Sequence, residues 1–275
     1  MLNFSQVINN VRTVNPLVHN ITNYVTVNDC ANMLIACGGS PIMADDIAEV
    51  EEITAISRAL VINIGTLNQR TVESMLAAGK KANAVGIPVV LDPVGAGASA
   101  LRNETCRRLL DSVDFAVIRG NISEIKALAL GSGSTKGVDA AAADKINDNN
   151  IESVMAFMRE FSEKTGAVIV VSGATDIVVR GNKGALIKNG HAIMADITGS
   201  GCMLSSLLGA FVGANADYFE AVSVAMCFYG YAGELAQQKT AAAKAGNGSF
   251  RTYLIDSVYT MDIDELVKGA KYELK

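Results

Sequence analysis

The chain has 275 residues, half of them hydrophobic, and a formal net charge of −5 at neutral pH. That is apolar material for a large core, in one α/β domain or two small ones. The acidic balance and the lack of any Lys/Arg-rich block weigh against nucleic acid or an anionic membrane as the main partner, so a small ligand is expected.

The opening segment MLNFSQVINNVRTVNP lacks the charged-then-apolar pattern of a secretion signal, and no apolar stretch reaches the roughly 20 residues of a membrane span. A cytoplasmic location is the expectation. The five cysteines, Cys30, Cys37, Cys106, Cys202 and Cys227, are an odd number without a C-x-x-C pair, which fits reduced thiols better than disulfides or zinc. With only His19 and His191 in the chain, a His-based zinc site or a Ser-His-Asp triad has little material.

Along the chain, the short apolar runs ALVINIG (59–65), IPVVLDP (87–93), DFAVIRG (114–120) and AVIVVSG (167–173) alternate with helical patterns. Buried parallel strands with helical crossovers produce that alternation. TVESMLAAGKKANAVG and SVMAFMREFSEKTG carry apolar residues at helical spacing and close on Gly. The segment GSGSTKGVDAAAADKINDNN (131–150) reads as an exposed loop with a helical turn. It nearly forms a G-x-G-x-x-G, but Lys136 occupies the third glycine position and no strand precedes it, so the dinucleotide reading fails. DIVVRGNKGALIKNG is a hairpin pattern around a Gly-Asn turn, and the rest to about residue 258 reads as helical. The expected fold is a doubly wound, mainly parallel α/β sheet flanked by helices, with an antiparallel edge near residues 176–195. No linker or repeat divides it, so residues 1–275 are expected to form one domain.

In such sheets ligands sit beyond the carboxyl ends of the strands. Asp92 follows PVVL, Arg119 follows FAVI, Ser172 follows VIVV, and the TGSGC turn (198–202) follows HAIMADI, which reads as a further strand containing His191. Gly199, Ser200, Gly201 and Cys202 open a helical pattern, and the unpaired N–H groups of a helix start favour an anion. Together these residues match a site for a magnesium-bound polyphosphate, and hence phosphoryl transfer. Each has a plainer alternative: Asp92 before Pro93 starts turns, Asn121 and Glu124 in NISE fit a helix cap, Arg119 fits a solvated charge, and Cys202 fits a small buried hydrophobe.

PLVHNITNYVTVNDCANMLIACGGSPIMAD (16–45), VVLDPVGAGAS, VIRGNISEI and DITGSGCMLSSLLGAF resemble, in order and spacing, the hydroxyethylthiazole kinases of the ribokinase-like superfamily. The likeness extends over nearly all of the chain. Relatives elsewhere in that superfamily usually carry Asp at the position of Cys202, whereas thiazole kinases often carry Cys. The resemblance implies ATP-dependent phosphorylation of the primary alcohol of 4-methyl-5-(2-hydroxyethyl)thiazole in thiamine salvage, by a homotrimer with active sites between subunits. It further implies Met43 and Asn23 at the thiazole, Gly199 at its hydroxyethyl arm, and Arg119 and Ser172 at the nucleotide. Asp92 and Glu124 would organise Mg²⁺, partly through water, and the amides of Gly199 to Cys202 would hold the moving phosphoryl group. Cys202, at a helix N-terminus, is expected to have a lowered pKa and to act as a weak base. The nearest alternative is a nucleotide-dependent hydrate dehydratase, a lyase on the same fold; a noncatalytic nucleotide sensor is a third.

Overall fold

Nine strands form one sheet in the computed structural model, which describes residues 1–131 and 150–275. They are β1 Leu17–Ile21, β2 Ser40–Met43, β3 Ala59–Asn63, β4 Val89–Asp92, β5 Val117–Asn121, β6 Val168–Ser172, β7 Asp176–Arg180, β8 Lys183–Ile187 and β9 Tyr272–Leu274, in the order β2-β1-β3-β4-β5-β6-β7-β8-β9. Pairing is parallel from β2 to β6 and antiparallel from β6 to β9. The expected mainly parallel α/β fold with an antiparallel edge is therefore present.

The central strands are apolar throughout because both faces are covered. In β3, Val61 points into one core cluster while Leu60 and Ile62 point into the other. Each such side chain contributes about 1.5–3 kcal/mol on full burial. Helices Phe4–Val14, Val27–Cys37, Ser200–Ala214, Tyr218–Ala242 and Asn247–Tyr259 pack on the first face; Gln69–Val85, Ala100–Ser112, Ile122–Leu130 and Ile151–Thr165 pack on the second. Helix Gln69–Val85 shows why the pattern was readable: Asn68 and Thr71 form a reciprocal capping box, and Gly86 ends it at φ +75°.

Two expectations need correction. The antiparallel strands of the 176–195 region stop at Ile187, and the last edge strand is β9. HAIMADI is not a strand: His191 begins a 3₁₀ helix, Ala192–Asp196, whose first turn is capped by the imidazole accepting from Ile193 N. β9 takes the outer side of β8, and Ile193 and Met194 pack against the core instead of pairing there. The loop expected over 131–150, including Lys136, lies almost wholly outside the described residues.

Candidate active site

Parallel pairing brings the carboxyl ends of the central strands to one edge. Asn63 is the register partner of Asp92, and Leu91 of Ile118, which sets Asn63, Asp92 and Arg119 in one row; Asn121 and Ser172, partners of each other, lie two residues further along β5 and β6. The helix Ser200–Ala214 starts above that row, entered through Gly199 at φ +84°. A Cβ on Gly199 would meet Thr26 Cγ2 at 2.5 Å, so both the left-handed backbone and the close approach require glycine here.

Asp92 is fully buried. Its Oδ2 accepts from Asn63 Nδ2 (2.9 Å) and Ser205 Oγ (2.8 Å), with Arg119 Nη1 3.8 Å away, while its Oδ1 has no hydrogen-bond partner. Burial pushes the carboxyl up to about 6; the Arg119 charge opposes this and Glu124 adds to it. An interior carboxylate oxygen without a donor costs free energy unless something else comes to it.

Arg119 is pinned rather than solvated. Its Nη2 donates to Ser172 Oγ at 2.7 Å, and only 12 % of its side chain is exposed. The guanidinium lies so close to the start of the helix that a Cβ on Gly201 would stand 2.5 Å from Nη1. Nearby, Tyr229 donates its hydroxyl proton to Ser200 O at 2.8 Å and fixes the first residue of that helix.

Cys202 lies at the centre of an amide cluster. Asn23 Nδ2 and Asn63 Nδ2 approach its sulfur at 3.2 and 3.3 Å. The expected fall in its pKa is reversed: burial, then the negative charge of Asp92, push the thiol above its ordinary value. The helix start and the amide donors favour thiolate, but desolvation outweighs them.

Glu124 fulfils the capping role foreseen for NISE. Its Oε2 accepts from Asn121 N (2.9 Å), Asn121 Oδ1 accepts from Glu124 N, and Glu124 Oε1 accepts from Gly95 N at 2.8 Å. The loop after β4 is thus tied down by Glu124 and by Arg102, whose guanidinium donates to the carbonyls of Ile64, Gly65 and Val94. Among the described residues no cluster of three or more His, Cys, Asp or Glu is arranged to hold a metal. Asp92 and Glu124 would instead offer one or two carboxylates, the pattern by which Mg²⁺ is bound when water and substrate phosphates complete its shell.

Met43 lines a cleft of about 380 Å³ with Asn20, Thr22, Tyr24, Asp45 and Arg70. Asn23 is turned away from it, because Asn23 Oδ1 accepts from Thr26 N and Oγ1, which points the amide nitrogen at Cys202. A larger hollow of about 950 Å³ runs from Ala96 to Gly131 on the other face and contains none of these residues. Sequence reading missed Asn63, Ser205 and Thr26. For Asn63 a signal existed: it ends ALVIN as Asp92 ends VVLD.

Residues 8–264 match the Hydroxyethylthiazole kinase family. The chain is 57% identical over 265 residues to a hydroxyethylthiazole kinase of Clostridium acetobutylicum, covering 96% of this chain and 97% of the relative. The solved hydroxyethylthiazole kinase of Pyrococcus horikoshii OT3 superposes with a TM-score of 0.85 at 34% identity, over 99% of this chain and 98% of that one. A ribokinase-like superfamily protein from Enterococcus faecalis V583 shares the fold, with a TM-score of 0.57 at 12% identity over 92% and 89% of the two chains.

Proposed function

The chain belongs to the hydroxyethylthiazole kinase family, and from that premise we propose that it transfers the γ-phosphate of ATP to the primary alcohol of 4-methyl-5-(2-hydroxyethyl)thiazole, in thiamine salvage. The observation that carries this reading is the meeting of Asp92, Arg119, Ser172 and Cys202 at one sheet edge beside a helix N-terminus. Phosphoryl transfer needs positioning and charge neutralisation more than covalent chemistry, and these groups supply both.

In this reading Arg119, held by Ser172, clamps the nucleotide phosphates, and the amides of Gly199, Ser200, Gly201 and Cys202 receive the moving group. Met43 borders the thiazole from the cleft wall, and Asn23, whose amide nitrogen faces Cys202, borders it on the side of the thiol, with Gly199 at its hydroxyethyl arm. The unpartnered Oδ1 of Asp92 fits a magnesium–water shell, with Glu124 contributing through water. Mg²⁺ would neutralise charge on the phosphates. Cys202 accepts the alcohol proton as a weak base. Its raised pKa keeps the thiolate fraction small, which a loose transition state tolerates because the proton need not leave before phosphorus–oxygen bond formation is under way.

The continuous sheet with helices on both faces supports a single domain. Exposed Tyr24, Val25 and Ile47 near the Met43 cleft support a homotrimer whose subunits share the site. Among the described residues no helix is long and apolar enough to cross a membrane. The test is incubation with ATP, Mg²⁺ and hydroxyethylthiazole followed by mass detection. A phosphorylated alcohol that disappears on chelation supports the proposal; nucleotide binding without that product overturns it. No observation favours the dehydratase.

A further inference from the structure

Asn63 is buried at the end of β3, and every hydrogen-bonding position of its side chain is in use. Its Oδ1 accepts from Gly65 N (2.9 Å) and from Asn23 Nδ2 (3.1 Å). A backbone N–H can only donate, so the Gly65 contact settles which end of the amide is oxygen. The NH₂ group is thereby aimed at two acceptors: Asp92 Oδ2 at 2.9 Å and Cys202 Sγ at 3.3 Å. Two donors and two acceptors are all that an asparagine side chain has. Asn63 therefore has nothing left with which to hold a substrate.

We propose that Asn63 is a positioning residue for phosphoryl transfer, its single NH₂ group holding Asp92 and Cys202 apart and keeping each as an acceptor toward it. The inference rests on the kinase reading above. Without Asn63, Asp92 Oδ2 would keep Ser205 and the sulfur would keep Asn23 as donors, but no common amide would fix the two groups relative to each other. The surroundings are built for this role. Gly65 leaves room for the amide, since a Cβ there would stand 2.9 Å from Asn63 Oδ1, and Thr26 orients Asn23 so that its NH₂ meets Asn63 Oδ1. Register pairing of Asn63 with Asp92 sets their backbones side by side.

The test uses Asn63→Asp, which keeps the size but replaces the two N–H donors by at most the one O–H of a proton shared with Asp92, and Asn63→Ser, which is smaller and places no charge in the core. In folded protein each is expected to lower kcat by about tenfold or more while KM for ATP and for the alcohol stays within roughly twofold, because a positioning residue acts on the transition state and not on uniform binding. A second measurement reads the sulfur directly. Of the five cysteines, all within the described residues, four are buried and Cys202 is partly exposed, so iodoacetamide at one fixed pH reports on Cys202. Asn63→Asp is expected to slow that alkylation by about fivefold or more, since it removes an N–H donor to sulfur. Folded variants with unchanged kcat, or with kcat loss matched by KM, overturn the proposal, as does unchanged alkylation in Asn63→Asp. If wild-type protein gives no phosphorylated alcohol, the kinase reading itself fails, and the alkylation result still decides whether Asn63 acts on the thiol.

Discussion

Arg119 Nη1 stands 3.8 Å from Asp92 Oδ2, a distance at which the two charges attract without a direct hydrogen bond, while Asp92 Oδ1 meets no donor at all. The carboxylate is buried with one oxygen unsatisfied, at a cost to the free protein.

That cost can be measured. Burial raises the Asp92 carboxyl from 3.8 to about 6. Between those values the native state keeps a proton that the unfolded state has lost, so stability falls as pH rises through this window and stays reduced above it; two pKa units correspond to about 3 kcal/mol. Asp92→Asn is expected to melt above wild type at pH 7, by a margin that shrinks toward pH 4, while kinase turnover falls by about a hundredfold or more. Equal melting curves at pH 7 would show that the buried charge carries no penalty.

Gly201→Ala would drive a methyl group to 2.5 Å from Arg119 Nη1. Displacing the guanidinium from Ser172 should raise KM for ATP by about tenfold, with a stability loss of about 1–3 kcal/mol from overpacking. Gly86→Ala is the control, since nothing lies within 4 Å of its Cβ and only the strain of φ +75° is felt. Its melting temperature should drop with KM unchanged. Steady-state kinetics on both variants separates the two effects.

Cys202→Ala should leave measurable kinase activity, because the phosphate clamp remains after the base has gone. Cys202→Asp should retain or exceed wild-type turnover, since Asn23 and Asn63 already present N–H donors at 3.2 and 3.3 Å to whatever occupies that position. A phosphorylated enzyme trapped by rapid quench would point instead to a covalent carrier.

His19 is buried, and burial lowers its pKa. Its Nε2 must carry the proton, because at 2.7 Å it meets the carbonyl of Ala44, which can only accept. As pH falls below 6.5 the unfolded chain gains a proton that the native imidazole refuses, so stability declines on acidification. His19→Gln should flatten the dependence of the urea midpoint between about pH 7 and pH 5. Ala44 adjoins Met43 in the cleft wall, so KM for the thiazole should rise as well. An unchanged pH slope would exclude His19 as its source.

Asp92, Arg119 and Ser172 were legible because each ends or nearly ends an apolar run that could only be a buried strand, and the sheet brings such ends together. Asn63 was hidden because the run containing it continues through Ile64, masking where β3 stops. The direction of the Cys202 shift was misread for a different reason. A helix start is visible in DITGSGC, but the burial of the thiol in the folded chain and the charge of Asp92 on another element, which together outweigh it, are not. His191 was misplaced because apolar character alone does not make a strand: β9, from far along the chain, pairs with β8, and Ile193 and Met194 pack on the core. Periodicity reports what one segment prefers; burial and edge occupancy depend on its neighbours.

The helix Ser200–Ala214 has a second end to consider. At Gly209 it lies so close to the sheet that a Cβ would meet Val61 Cγ2 at 2.6 Å and Val18 Cγ1 at 3.0 Å, and so it covers strands made much earlier in the chain. During translation those valines leave the ribosome long before their cover exists. The nascent protein must carry an open apolar sheet face until the helix arrives, a natural target for chaperones and a route to aggregation when synthesis stalls. The same helix that covers those strands also brings its first turn to Arg119 and Asn63, so in the native fold the cover of the strands and the shape of the site depend on one element.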